Sequence, residues 1–394
     1  MFELTAKTEA GARLVRIAES LAGDFAARAA IHDREASFPY AGIDALERAG
    51  YFTAPIPADH GGLGVTSIHD LVVASSRLAR GDASIAIGVN MHLVVLTNIV
   101  RRWQAAVDAG DERRAAAFGA SMDAVARDRV IIAAAVSELG QDLTRPRTTA
   151  TRTASGWRID GRKAFCTMAP AATVLYTAVT FTDDHGVERY GYAQVPRDAA
   201  GVEIRDDWDA LGMRASGSHS VTFAGVELPR AALRGGFRAG DANAYMERNL
   251  FNGLFHAAAS LGIAESAASA VTGTLAARGE PDPRARTLIA ENAIELDAAR
   301  ATLSRSATLA DHSDGEVVAL FAQTQAAKAF VNEAAVRIVD RALALSGGAG
   351  YLNGHPLARA YRDVRAGGFM HPLGANRAYE LLGDVALGRE HALH

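Results

Sequence analysis

Residues 156–167 read Gly-Trp-Arg-Ile-Asp-Gly-Arg-Lys-Ala-Phe-Cys-Thr, and this stretch decides the architecture. Gly156 to Gly161 alternates apolar and polar residues between turn-forming glycines, the pattern of a short strand. The same signal extends in both directions. Val130–Val136 is a continuous apolar run, and Thr148–Thr153 is Thr-rich and alternating. Thr173–Phe181, Tyr190–Val195 and His219–Phe223 continue the series, punctuated by turns such as Asp184-His185-Gly186. Short strands at this spacing predict an antiparallel β-sandwich or barrel over 129–235.

The flanks have a different period. Residues 7–34 carry Leu14, Ile17, Leu21, Phe25 and Ala29 on one helical stripe. Pro39 precedes a second helix that Gly50 caps, Ser67 caps a third, and a fourth covers about 83–103. Beyond the strands, 241–277, 284–312 and 315–346 are long Ala-rich periodic segments, and Pro372 is placed to open a last helix. Long helices with short connections predict a bundle. The fold class is α+β, in three parts: an N-terminal helical domain (1–128), a β-domain (129–235) and a C-terminal four-helix bundle (236–394).

Composition excludes several function classes. The 394 residues carry 41 Lys+Arg against 45 Asp+Glu, a net charge of −4, which gives no electrostatic reason to expect nucleic acid or an anionic membrane as partner. A single cysteine, Cys166, rules out an internal disulfide framework and a cysteine zinc cage. His391 and His394 are three apart at the chain end and make no metal site. The charged start MFELTAKTEAG is not a signal peptide, and no uninterrupted apolar run reaches about 18 residues. A cytoplasmic protein is expected.

Five segments, in order, resemble those of the acyl-CoA dehydrogenases: Ala135–Asp142, Gly161–Thr167, Leu211–Ser218 followed by Phe223–Pro229, Ser346–Tyr351, and Tyr361-Arg-Asp-Val-Arg365. The resemblance runs from about residue 12 to 390. It implies a flavin held between the β-domain and the last bundle. Ser137 and Thr167 would contact the isoalloxazine ring and Phe165 would cover it. Arg214 and Ser218 of the third segment, and Gly347 and Gly348 of the fourth, would also serve the flavin.

The chain departs from the dehydrogenases where their chemistry resides. A dehydrogenase removes a proton beside a thioester carbonyl with a glutamate at one of two places; here these are His371 and Asn252. Glu247 is about one and a half turns from Asn252 and is no substitute. Residues 277–284 lack the family's "RxxFG" segment, and Ala344 stands where a glutamine helps hold the adenine half. Met91-His92-Leu93, Phe165-Cys166-Thr167 and His371-Pro372 resemble instead the flavin-dependent monooxygenases of this fold, such as dibenzothiophene monooxygenase and the oxygenase of 4-hydroxyphenylacetate hydroxylase.

That resemblance implies reduced flavin (FADH2 or FMNH2) delivered by a separate flavin reductase, molecular oxygen as cosubstrate, and a hydroperoxide at flavin C4a. A neutral histidine can donate to a peroxide or accept a substrate proton; a carboxylate would repel the anion. His371 reads as the N-cap of the helix opened by Pro372, which would keep its ring neutral. His92 would approach from the first bundle, or else be a satisfied core histidine. The candidate catalytic set is His371, His92, Thr167 and Asn252. The residues of Met246–Phe255, apolar with an amide, together with Phe369, suit an aromatic, heterocyclic or other natural-product substrate better than a charged sugar. Ala-rich bundle surfaces and the family pattern imply a homotetramer. The alternatives are an acyl-CoA dehydrogenase-type oxidoreductase and a non-catalytic flavin- or acyl-binding scaffold.

Overall fold

The computed structural model describes residues 3–394 apart from Gln141, Ser313, Asp314, Ala392 and His394, and the side chains of Arg234 and Gly235. Gln141 of the first motif segment and His394 therefore lie outside the described residues. Helix α1 (Glu9–Glu35) is capped by Thr8, whose side chain accepts from the Gly11 N–H, and buries Leu14, Ala18, Phe25 and Ala29. The short α2 (Tyr40–Arg48) follows, and Gly50 takes a left-handed conformation just past its end. Ser67 caps α3 (Ile68–Gly81), and Asp82 both ends α3 and caps α4 (Ala83–Asp108). Helix α5 (Glu112–Asp128) leads into the strands.

The strands are β1 (Ile132–Ala135), β2 (Thr149–Arg152), β3 (Gly156–Cys166), β4 (Val174–Thr182), β5 (Glu188–Pro196), β6 (Val202–Ile204), β7 (His219–Pro229) and β8 (Leu233–Arg238). Their order is β6-β7-β3-β2-β4-β5-β8, with β1 paired to β4. Two pairings, β1 with β4 and β2 with β4, are parallel, so the sheet is mixed rather than purely antiparallel. Its path ends at β6 and β8 without closing into a barrel. The cause is local. β1 runs beside Val174–Thr177, and β2 meets β4 at Thr180. The chain leaves the sheet between them, and Ser137 and Glu138 lie on this excursion.

Helices resume with α6 (Ala242–Arg248), α7 (Asn252–Ala277), α8 (Pro283–His312), α9 (Val317–Ser346), α10 (Pro356–Asp363) and α11 (Ala375–Ala386). The expected single helix over 241–277 is broken at 249–251. At the C-cap of α6 the Asn249 side-chain amide and backbone N–H both donate to the Tyr245 carbonyl, at 2.8 and 3.1 Å. The last helix starts at Ala375 with Gly374 at its N-cap, not at Pro372. His371 is therefore not a helix cap.

One core cluster joins residues of α1, α3 and α4 to residues of α7, α8 and α9, so both helical regions share an interior. Helices α4 and α7 are each long and apolar enough, by length and composition, to cross a membrane, and most of their residues are buried within the protein. An uninterrupted-run criterion missed them because Asn90, His92 and His256 interrupt the apolar sequence; all three are buried here.

Candidate active site

A cavity of about 430 Å³ opens between α4, the edge of the sheet, the α6–α7 break and the segment 362–371. That size suits a small-molecule site. The sheet contributes the Ser137 and Thr167 neighbourhoods. Ser137 accepts from the Ala164 N–H through its carbonyl at 2.9 Å, which fixes the excursion after β1 against β3. A buried ion pair locks the same two segments together. Lys163 Nζ lies 2.6 Å from Glu138 Oε1, and Thr148 donates its hydroxyl to that oxygen at 2.7 Å. Burial pushes the Glu138 carboxyl up, but Lys163 and Thr148 outweigh it and hold the group below the usual carboxylate range. Sequence reasoning assigned this pair no role, although its members fall in two of the quoted motifs.

Thr167 ends a hydroxyl relay. Ser216 and Ser218 are 2.7 Å apart, and Ser218 donates to Thr167 at 2.9 Å. The Thr167 hydroxyl proton has only a long 3.5 Å contact to the Phe165 carbonyl, so it is available to an acceptor in the cavity. Phe165 sits at φ +56° with its ring 55% exposed, edge-on to Trp208 at 6.2 Å between centroids. Two aromatic rings beside two hydroxyls fit a flat heterocycle with polar edges, the chemistry of an isoalloxazine. Ser137, Phe165, Thr167 and Ser218 all line the cavity.

The other expected flavin residues are placed elsewhere. Arg214 points away from the cavity, donating to the Asp33 carbonyl at 2.8 Å and to the Ala210 carbonyl at 3.2 Å. It fastens the 209–217 loop to α1. Arg362, which does line the cavity, holds Asp33 through both carboxylate oxygens. Gly212 lets that loop approach: a Cβ there would lie 2.4 Å from the Arg362 carbonyl oxygen. Gly347 and Gly348 are exposed in the turn after α9 and are not part of the cavity wall.

His92 sits in the core and is not among the described residues that line the cavity. It is fully buried, its Nε2 donates to the Phe52 carbonyl at 2.9 Å, and its Nδ1 accepts from the Ile132 N–H at 3.0 Å. With both nitrogens committed to backbone, it ties α4 to β1. Burial lowers its pKa to about 4, in keeping with that neutral role.

His371 and Asn252 do line the cavity, and Asn249 connects them. Asn252 Nδ2 donates to Asn249 Oδ1 at 2.8 Å, and His371 Nε2 lies 3.1 Å from the same oxygen. The Asn249 orientation follows from its amide nitrogen, which faces a backbone carbonyl. Its oxygen can therefore only accept, so His371 carries its proton on Nε2 and leaves Nδ1 as a lone pair. Burial, reinforced by nearby Lys328, pulls the His371 pKa down to about 3. The ring is neutral as expected, but through burial and Lys328 rather than a helix dipole.

Lys328 and His256 escaped sequence reasoning. The buried Lys328 ammonium donates to the carbonyls of Met370, His371 and Leu373, gripping the turn that presents His371. His256 lies one turn beyond Asn252, on the same helical face, and its Nδ1 has no hydrogen-bond partner. That i, i+4 spacing was the available signal. For Lys328, in an Ala-rich helix, there was none.

Within Met246–Phe255 the expected amide lines the cavity, but the apolar residues Met246 and Phe255 do not. Met246 and Phe255 are packed in the core, whereas Arg248, Asn249 and Asn252 face the cavity. Phe369 does line it, 86% exposed. No Asp or Glu is among the described lining residues; the charged ones are Arg248, Arg362 and Arg365.

The mouth loop depends on one buried carboxyl. Asp363 accepts from the Met213 N–H at 2.6 Å, and burial, with Asp82 nearby, lifts it to about 7. The unfolded chain ionises freely above about 3.8, whereas the fold resists ionisation until about 7. This support is full below the ordinary carboxylate value and is lost as pH rises through 7. Asp363→Asn keeps the acceptor and removes the titration. Melting curves from pH 4 to 8 should decline less steeply for the variant; an identical slope would place the titration elsewhere.

The chain matches the descriptions "Acyl-CoA dehydrogenase, N-terminal domain" over residues 13–105, "middle domain" over 133–226 and "C-terminal domain" over 254–372. Amino sugar nitrososynthase DnmZ of Streptomyces peucetius is 34% identical over 399 residues, covering 97% of this chain and 95% of that protein. The X-ray structure of KijD3 in complex with FMN and dTDP-3-amino-2,3,6-trideoxy-4-keto-3-methyl-D-glucose superposes with a TM-score of 0.91 at 32% identity, covering 99% of this chain and 97% of that one. FMN-bound TdsC, a dibenzothiophene monooxygenase from Paenibacillus sp. A11-2, superposes with a TM-score of 0.85 at 25% identity over 97% and 99%.

Proposed function

Since the chain belongs to the acyl-CoA dehydrogenase superfamily, as a flavin-using oxidoreductase closely related to its flavin-dependent monooxygenases, we propose that it oxygenates the amino nitrogen of a nucleotide-linked sugar, with reduced flavin and dioxygen as cosubstrates. One observation carries the reading. The two places where a dehydrogenase keeps its carboxylate base hold a neutral His371 and Asn252, joined through Asn249, and no Asp or Glu is among the described residues of the cavity wall. Such a wall lacks a base for α-proton abstraction and does not repel a developing oxygen anion.

Reduced flavin supplies two electrons to dioxygen: one oxygen atom enters the N–H bond and the other leaves as water. The residues have separate tasks. Ser137 and Thr167 would offer polar contacts to a flavin ring, and Phe165 and Trp208 would pack beside it. His371 Nδ1 accepts a hydrogen bond from the substrate's amine and orients its nitrogen. Asn249 holds that histidine tautomer, and Lys328 holds the turn. The apolar side chains Ile87, Met91 and Val94 exclude water from the reacting atoms.

The expected aromatic or heterocyclic substrate gives way to an amino sugar because the α6–α7 break presents Arg248, Asn249 and Asn252 rather than apolar side chains. Either FMN or FAD serves, and a separate reductase supplies it. Assembly as a homotetramer would cover exposed Ile294, Tyr351 and Leu352.

The test is a coupled assay. A generic flavin reductase, NADH and FMN are combined with a panel of nucleotide-linked amino sugars, phenols, indoles and thioethers, and a parallel panel of acyl-CoAs receives an artificial electron acceptor. The expected result is oxygen added to the amino sugars alone. Acyl-CoA oxidation without oxygen addition would reverse the reading.

A further inference from the structure

The three arginines on the cavity wall are not equivalent. Arg362 is neutralised by Asp33, and Arg365 pairs with Asp340 at 2.5 Å. Arg248 has no acidic partner among the described residues. Its guanidinium lies 4.4 Å from the centroid of the Tyr192 ring, and it donates to the Tyr176 hydroxyl. The two tyrosine rings are stacked with centroids 4.8 Å apart and line the cavity with it. A hydroxyl engages only one of the five N–H groups of a guanidinium. Arg102 carries charge of the same sign nearby, and Arg248 disfavours it. An uncompensated cation in a largely apolar wall is costly unless an anion joins it.

We propose that Arg248, braced by Tyr192 and Tyr176, receives a phosphate of the substrate's nucleoside diphosphate and so sets the distance from that anchor to the reacting nitrogen. This rests on the substrate class proposed above. Arg248 adjoins Asn249, the hydrogen-bond partner of His371, so anchor and reaction centre are both tied to the α6–α7 break. The tyrosine stack holds the guanidinium plane, and two of its N–H groups can meet two phosphate oxygens together.

Calorimetry with thymidine diphosphate and, separately, FMN tests this on the wild-type protein, Arg248→Met and Arg248→Lys, each checked for fold by circular dichroism. Charge-assisted hydrogen bonds of this kind predict thymidine diphosphate binding roughly 10–100-fold weaker in Arg248→Met, partly restored in Arg248→Lys, with FMN binding unchanged. Equal thymidine diphosphate affinity in the wild type and Arg248→Met overturns the anchor and leaves the substrate class standing. A loss confined to FMN also overturns it, by assigning Arg248 to the flavin phosphate. Failure of the wild type to bind thymidine diphosphate overturns the anchor together with the substrate class. If Arg248→Met fails to fold, Tyr176→Phe, which removes only the brace, is expected to weaken thymidine diphosphate several-fold, and an unchanged affinity there overturns the proposal.

Discussion

His371→Ala should lower oxygenated product by about 10²–10³-fold, the usual cost of losing a hydrogen-bonding group aimed at the reacting atoms. Dioxygen should still be consumed, because reduced flavin still reacts with it, but hydrogen peroxide should appear in place of product. The fold should survive, since His371 makes one side-chain hydrogen bond, to Asn249, worth about 1 kcal/mol. With its pKa near 3, His371 stays neutral at any practical assay pH, so no limb of the activity profile between pH 5 and 9 should belong to it. His371→Glu is sharper. The new carboxylate would face the Asn249 oxygen that now accepts from His371, and it should abolish product without creating acyl-CoA oxidation. Product formation by His371→Ala at the wild-type rate would remove His371 from the mechanism.

Lys163→Met should destabilise the protein by about 3–5 kcal/mol, because it strands the Glu138 carboxylate in the interior. Lys163 is fully buried and its ammonium meets Glu138. Glu138→Gln combined with Lys163→Met should recover much of the loss, since an uncharged amide at 138 can still accept from the Thr148 N–H and hydroxyl. The pH dependence follows from the lowered Glu138 pKa. Its contribution is present above the ordinary carboxylate value and lost as pH falls through the lowered one, so the gap between wild type and Lys163→Met should close only in acid. Flavin binding should weaken as well, because the pair fixes Ser137 beside β3. Urea unfolding measures the first effect and fluorescence titration with FMN the second. A loss below about 1 kcal/mol would mean that Glu138 finds another partner.

What could be read in the sequence follows from which interactions are local. Helix α1 and the start of α3 were legible because an apolar stripe and a capping side chain lie within a few residues of one another. The strands were legible from alternation, but their pairing was not. The parallel register of β1 beside β4 depends on residues 42 apart, such as Ile132 and Val174. In the site, Ser137, Phe165, Thr167, Ser218, Asn252 and His371 were found by motif resemblance and meet at one cavity. The two readings of His92 could not be separated because its backbone partners, Phe52 and Ile132, lie 40 residues to either side. Arg362 was given no role, for a similar reason. Arg214 and Arg362 are both drawn to Asp33 of α1, but only Arg362 also reaches the cavity. Lys328 was invisible because its partners are backbone carbonyls more than 40 positions away, which no side-chain pattern announces.

The proposal that a chain of the acyl-CoA dehydrogenase superfamily moves oxygen rather than hydride rests on a cavity with no Asp or Glu among its described lining residues. It is tested most directly by turnover of a nucleotide-linked amino sugar under isotopically heavy dioxygen in ordinary water, with reductase-supplied flavin and mass analysis of the product. The account predicts that every oxygen atom added to nitrogen carries the heavy label, and that turnover stops without dioxygen even when an artificial electron acceptor is present. Product lacking the label, or turnover sustained by the acceptor in the absence of dioxygen, would contradict it.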